Sequence, residues 1–275
     1  MEISDIEFVI LAAGRSSRNY PHTRGLPHKS LLPFGSVKII DYIVSQIIEA
    51  GGKSIQFVVS SDAAIKAFQE NFDKEKQVDL PQDVQVNYVI QAEPKGLAHA
   101  ISLAAKQAPN KHLAVILPDD LVLSSDGEAV IKKLVDQYLK DDKGGNLFLT
   151  REVEDVSRWG IIENGVFREK PSSSSSNESS IMCFILDKKI GEKILLTIHD
   201  DLLKQGTKEL HYSDYLNEAI STDSTLKIRT LKMGEGDLYL DCGTIQGYEK
   251  SLLYSLLYLS AFKEENRDYL EAMKI

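Results

Sequence analysis

"LAAGRSSRNYPHTRGLPHKSLLPFG", Leu11 to Gly35, follows directly on an apolar run, FVILAA at 8–13. It carries Arg15, Arg18, Arg24 and Lys29. No Asp or Glu occurs from Phe8 to Ile40, although 41 of the 275 residues are acidic. A glycine turn after a first strand exposes backbone N–H groups that can cradle an anion. A loop built to hold a polyanion also excludes carboxylates. The stretch therefore reads as a buried strand running into a phosphate-binding turn.

Outward from this turn, short β-rich runs alternate with amphipathic segments. Strands are expected at 8–13, 54–60, 84–91 and 112–118. Helices are expected at 36–50, 62–72, 97–108 and 127–140; in the first, Val37, Ile40, Val44, Ile47 and Ile48 recur at helical spacing and Gly51 ends the run. Such alternation predicts βαβ units and a mostly parallel sheet covered on both faces. After Asn146 the pattern changes. GIIENGVFREK (160–170) places Asn164-Gly165 between two alternating runs, a hairpin signal. PSSSSSNESS (171–180) reads as a low-complexity loop. Strands follow at 181–187, 225–233 and 237–243, with a helix around 188–205 and a long helix from about 244. With no internal repeat and no linker, one domain over 1–275 is expected rather than two split near 150.

Composition narrows the class. The formal net charge is -9, and an acidic protein is a poor general ligand for nucleic acid, whose affinity comes mostly from neutralised phosphates. Cys183 and Cys242 are the only cysteines, which is no disulfide framework and points to a reducing, cytoplasmic setting. The run FVILAA is too short for a signal peptide, and LLYSLLYLSAF from Leu252 is too short and too interrupted to cross a bilayer.

Two familiar phosphate motifs fail here. The dinucleotide fingerprint needs glycines where Ser16 and Asn19 stand, and the P-loop needs a second glycine that GLPHKS (25–30) lacks. The stretch instead resembles the signature of the sugar-phosphate nucleotidyltransferases: LAAG-x-x-x-R, then a proline, then K-x-L-L-P-F-G. The closest branches are the UTP–glucose-1-phosphate uridylyltransferases and the glucose-1-phosphate thymidylyltransferases. QAEPKGLAHA (91–100), LPDD (117–120), WGIIENGVFREKP (159–171) and LYLDCGT (238–244) supply further landmarks in the family's order.

The resemblance implies a Rossmann-like nucleotide-diphospho-sugar transferase fold with an inserted antiparallel hairpin portion. Residues 1–145 would form the nucleotide half, 146–243 the sugar-phosphate half and 244–275 a C-terminal helix. It implies transfer of a nucleotidyl group from a nucleoside triphosphate, UTP first, to a sugar-1-phosphate, glucose-1-phosphate first, with release of pyrophosphate. Leu11, Ala12, Ala13, Gly14, Arg15, Ser16 and Ser17 would form the triphosphate loop, and Gln91, Pro94 and Gly96 the base site. Arg18, Lys29 and Lys170 would be catalytic. Asp120, Gly160, Glu169 and Lys170 would face the sugar phosphate. Asp119 and Asp241 would hold Mg²⁺. A homo-oligomer is compatible with the family. Departures are Ser16, where the family usually has glycine, and a glycine-free IMCFILD strand. They leave open a non-sugar acceptor, such as CTP with phosphocholine, and a non-catalytic nucleotide-sugar binder of the same fold.

Plainer readings stand beside these. Asp119 and Asp120 end a strand and could start a turn. Asp241 could cap the helix near Thr244. Lys170 could be a solvated hairpin end. His22 and His28, six apart with no third ligand, read as neighbours of solvent or phosphate rather than a metal pair. His99 reads as a helix residue, and Cys242 has no histidine base beside it in sequence.

Overall fold

In the computed structural model, residues 1–72, 80–141, 144–205 and 210–272 are described. The first half is βαβ in character. β1 (Ile6–Ala12) is buried along its whole length, as expected of a central strand covered on both faces. A two-residue hairpin, β2 (Pro33–Phe34) and β3 (Val37–Lys38), precedes α1 (Ile39–Glu49). Then follow β4 (Ser54–Val59), α2 (Asp62–Asn71), β5 (Gln85–Ile90), α3 (Leu97–Gln107), β6 (His112–Ile116), β7 (Asp120–Leu123) and α4 (Val130–Lys140). The second half comprises β8 (Asn146–Glu152), β9 (Gly160–Glu163), β10 (Val166–Glu169), β11 (Glu178–Leu186), α5 (Lys188–Gln205), α6 (Tyr212–Thr222), β12 (Ile228–Lys232), β13 (Leu238–Asp241), α7 (Ile245–Tyr258) and α8 (Lys263–Ala272).

Nine strands form one sheet. β5, β4, β1 and β6 lie side by side and parallel. β11 runs antiparallel between β6 and β8, and β12 closes that side parallel to β8. Apolar residues from α1, α2 and α4 pack on one face, and residues from α3, α5 and α6 pack on the other. The expected mostly parallel α/β sheet is therefore the observed architecture. The chain winds from β1 outward through β4 to β5, then returns to β6 on the far side of β1. This reversal places a topological switch point at the carboxyl ends of β1 and β6, where ligands of open α/β sheets bind.

Several local expectations need correction. Residues 36–38 belong to the small hairpin, and helix begins only at Ile39. Asp120 does not end a strand; it opens β7, which pairs antiparallel with β13. The serine run is partly structure: Ser179 and Ser180 lie inside β11, and Ser175 donates its backbone N–H to Glu163. β8 and α6 carried no separate prediction, and the C-terminal helix is two helices broken between Tyr258 and Lys263. The hairpin at Asn164-Gly165 forms as expected, both residues with positive φ (52° and 77°).

Candidate active site

The loop after β1 opens into a cavity of about 820 Å³, lined by Leu11 of β1, by Ala13, Gly14, Arg15 and Arg18 from the loop and by Gln91, Pro94 and Gly96 from the β5–α3 connection. The Gln91 amide is buried and donates to the Gly96 carbonyl (3.0 Å). Glu93, Lys95, Leu97, Ala100 and Leu117 complete the wall; they lie within the 91–100 and 117–120 landmarks but were not among the expected site residues. A smaller cavity, about 250 Å³, shares Leu11, Gly14, Arg15 and Arg18 and adds Ser16, Ser17, His28, Lys29 and Asp119. Ala12 lines neither, because it points into the core beneath the sheet.

Ser16 has a structural reason to replace glycine. It adopts the left-handed conformation (φ 54°), which costs a side chain roughly 1–3 kcal/mol. Its hydroxyl accepts the Lys29 backbone N–H at 2.9 Å, tying the loop to the His28–Leu31 turn. Lys29 in turn donates to Asp119, Nζ to Oδ2, at 2.5 Å, and the Arg18 guanidinium lies 4.0 Å from the same oxygen. Burial alone would raise the Asp119 carboxyl, but the Lys29 charge and hydrogen bond outweigh it and hold the group below its ordinary value.

Asp241 ends β13 opposite Asp120 of β7. It does not cap the following helix: Thr244 does, accepting the Gly247 N–H, while Asp241 Oδ1 accepts the Gly243 N–H at 2.7 Å. Two carboxylates close in on the Gly243 backbone. A Cβ there would stand 3.0 Å from both Asp119 Oδ2 and Asp241 Oδ1. Two carboxylate oxygens thus converge beside the Gly243 backbone, and carboxylates are the donor type that Mg²⁺ takes when substrate phosphate supplies the rest.

Asp120 is placed differently. Its carboxylate accepts the Tyr239 hydroxyl at 2.6 Å and faces the Met182 N–H at 3.5 Å. Burial and the neighbouring Asp119 charge push it up to about 7. Tyr239 meets Trp159 edge-on, and the Arg151 guanidinium lies over both rings, 4.1 and 4.8 Å from their centroids. The alternation of LYLD in β13 hints at Tyr239, but nothing local hints at Arg151. Met182 sits at a β-bulge with φ 48°.

Gly160 has a packing role, since a Cβ on it would stand 2.3 Å from Phe167 Cζ. Glu169 and Lys170 are exposed at the end of β10 and pair with each other at 3.7 Å; neither lines the two cavities. The histidines separate: His22 meets Glu249 at 3.0 Å, His28 is buried beside Ser30, and His99 faces Gln91 at 3.3 Å. Both cysteines are buried and free. Among the described residues no helix is long and apolar enough to cross a membrane, and no group of three or more His, Cys, Asp or Glu side chains forms a metal site.

Comparison with known proteins bears on the family and the fold. The UTP--glucose-1-phosphate uridylyltransferase of Staphylococcus epidermidis is 32% identical over 202 residues, covering 66% of this chain and 65% of that protein. The chain thus spans about two thirds of the length of this relative. Among solved structures, a UDP-glucose pyrophosphorylase from Acinetobacter baumannii superposes with a TM-score of 0.77 at 24% identity, covering 97% of this chain and 99% of that one, which supports the fold. A UDP-glucose pyrophosphorylase complexed with UDP-glucose superposes with a TM-score of 0.73 at 26% identity, covering 92% and 98%. The model of the nucleotidyl transferase family matches residues 7–253, and the chain belongs to that family as an enzyme of the sugar-1-phosphate nucleotidyltransferase type.

Proposed function

We propose that the chain couples UTP to glucose-1-phosphate in a Mg²⁺-dependent reaction, forming UDP-glucose and pyrophosphate. The carrying observation is one cluster at the switch point, where the cations Arg18 and Lys29 meet the carboxylates Asp119 and Asp241 around Gly243. The names of the relatives support the choice of uridine and glucose. An oxygen of the sugar phosphate attacks the α-phosphorus, and the bond from that phosphorus to the bridging oxygen breaks. Pyrophosphate leaves with the electron pair. The nucleophile is already an anion, so the reaction needs no general base, and the obstacle is bringing two polyanions together.

Positioning and charge neutralisation therefore carry the catalysis. Arg18 and Lys29 hold the leaving pyrophosphate. The wall of Gln91 and Gly96 holds the base. Lys170 is assigned to the acceptor phosphate, which requires it to exchange Glu169 for substrate. Asp119 and Asp241 would hold Mg²⁺, which supplies Lewis-acid neutralisation of phosphate charge.

The test is pyrophosphate release with Mg²⁺ over a grid of UTP, dTTP, CTP, ATP and GTP against glucose-, galactose-, mannose- and N-acetylglucosamine-1-phosphate and phosphocholine. Release confined to UTP with glucose-1-phosphate is the expected result. Another productive pair would reassign the substrates, and a blank grid from folded protein would leave a nucleotide-sugar binder. Asp119→Asn and Asp241→Asn should each lower turnover by at least about 10²–10³-fold. Unchanged turnover in both, with the fold intact, would remove the metal assignment.

A further inference from the structure

His28 is 2% exposed and lines the smaller cavity, and its hydrogen bonds to protein all fall on one ring nitrogen. Nδ1 accepts the Ser30 backbone N–H at 3.2 Å and lies 2.9 Å from the Ser30 hydroxyl. A backbone N–H can only donate, so Nδ1 is the acceptor and the ring proton resides on Nε2. Nε2–H has no hydrogen-bond partner among the described residues. It lies just behind the phosphate-loop glycine, 3.8 Å from where a Cβ on Gly14 would stand. His28 borders the smaller cavity together with Ser16, Arg18, Lys29 and Asp119.

Burial, and then the Lys29 charge, lower the imidazole to about 3. The ring is thus a neutral donor across the physiological range. Protonating Nδ1 would also set an N–H against the Ser30 N–H, so the contact that orients the ring opposes its charging. Charged donors in this cavity already come from Arg18 and Lys29. A neutral donor adds direction and holds the pyrophosphate less tightly than a third cation in its place would.

We propose that His28 is a phosphate-binding residue of the reaction, its Nε2–H donating to an oxygen of the pyrophosphate portion of the triphosphate, with Ser30 as the positioning residue. The inference rests on the reading that the loop takes a nucleoside triphosphate. Isothermal titration of the full chain in excess MgCl₂ tests it, with inorganic pyrophosphate, UTP and UMP as probes. His28→Ala should weaken pyrophosphate and UTP by about tenfold or more and leave UMP within about twofold, since UMP lacks the pyrophosphate portion. His28→Gln returns an N–H at similar reach and should recover most of the loss. Ser30→Ala should fall between, because the backbone N–H still fixes the tautomer.

Unchanged pyrophosphate and UTP binding in His28→Ala would overturn the proposal. So would an equal loss for UMP, or a His28→Gln as weak as His28→Ala at an unchanged melting temperature. Should His28→Ala fail to fold, His28→Leu keeps the buried volume without the donor and decides in its place. Wild type that binds pyrophosphate but not UTP would overturn the choice of UTP while the pyrophosphate arm still judges His28. Wild type that binds neither pyrophosphate nor UTP would overturn both readings.

Discussion

Lys29 and Asp119 form an ion pair at 2.5 Å between the loop after β1 and the segment after β6. Asp119 Oδ2 also closes in on the Gly243 backbone, as Asp241 Oδ1 does. One carboxylate thus joins the cationic and the anionic halves of the site. Gly243→Ala should disturb both carboxylates at once. A displacement of about 1 Å in a reacting constellation costs on the order of 10²-fold in rate. The expected outcome is that loss in kcat with a melting temperature close to wild type. A fully active Gly243→Ala would show that the placement of the two carboxylates is not used.

Gly160 and Phe167 make the converse case. The Cβ of an alanine at 160 would overlap the Phe167 ring, which packs against Phe148 and Tyr212. Overpacking of this kind costs about 1–3 kcal/mol. Gly160→Ala should lose that much in urea denaturation, and adding Phe167→Leu should return part of it. Unchanged stability with a raised KM for the acceptor alone would instead give Gly160 a direct role in substrate binding.

Ser16 balances a strained backbone against one hydrogen bond. Ser16→Gly removes both the left-handed strain and the bond to Lys29, so its stability should stay within about 1 kcal/mol of wild type. Ser16→Ala keeps the strain and loses the bond, and should be less stable by about 1 kcal/mol. Equal denaturation midpoints for wild type and Ser16→Ala would show that the hydroxyl contributes nothing.

Glu7 predicts a pH dependence. It is buried on β1, and burial raises its pKa, only partly opposed by a hydrogen bond from Ser54. A carboxyl raised in the folded state favours folding at low pH, and that contribution is lost as pH rises through the folded value. Glu7→Gln cannot ionise. Its melting temperature should exceed that of wild type at pH 8, with the gap closing toward pH 4. Parallel curves at both pH values would contradict the assignment.

Much of the first half was legible because its signals are local. The apolar run of β1, the glycine turn and the helical spacing in 36–50 each specify one element within a few residues. α1 was legible but its start was not, because Val37 and Lys38 pair with Phe34 and Pro33, a tertiary choice that overrides helical periodicity. β7 was hidden for a related reason: four residues become a strand only because β13 lies beside them. The serine run read as loop on composition, but pairing with β8 on one side and β9 on the other draws its end into β11.

By itself the sequence determined the α/β class, the order of most elements, the carboxylate-free basic loop and the identities of the candidate carboxylates. The candidate carboxylates came from the resemblance to the family's motifs; the rest depends on residue chemistry and on periodicities of 2 and 3.6, which a chain carries within each segment. Tertiary structure alone decided that Lys29 pairs with Asp119, that Asp241 stands opposite Asp120, that Gly160 lies under Phe167, and that His28 holds its proton on Nε2. Each of these depends on the register or packing of the folded chain, and that is set by burying both faces of the sheet together rather than by any local pattern.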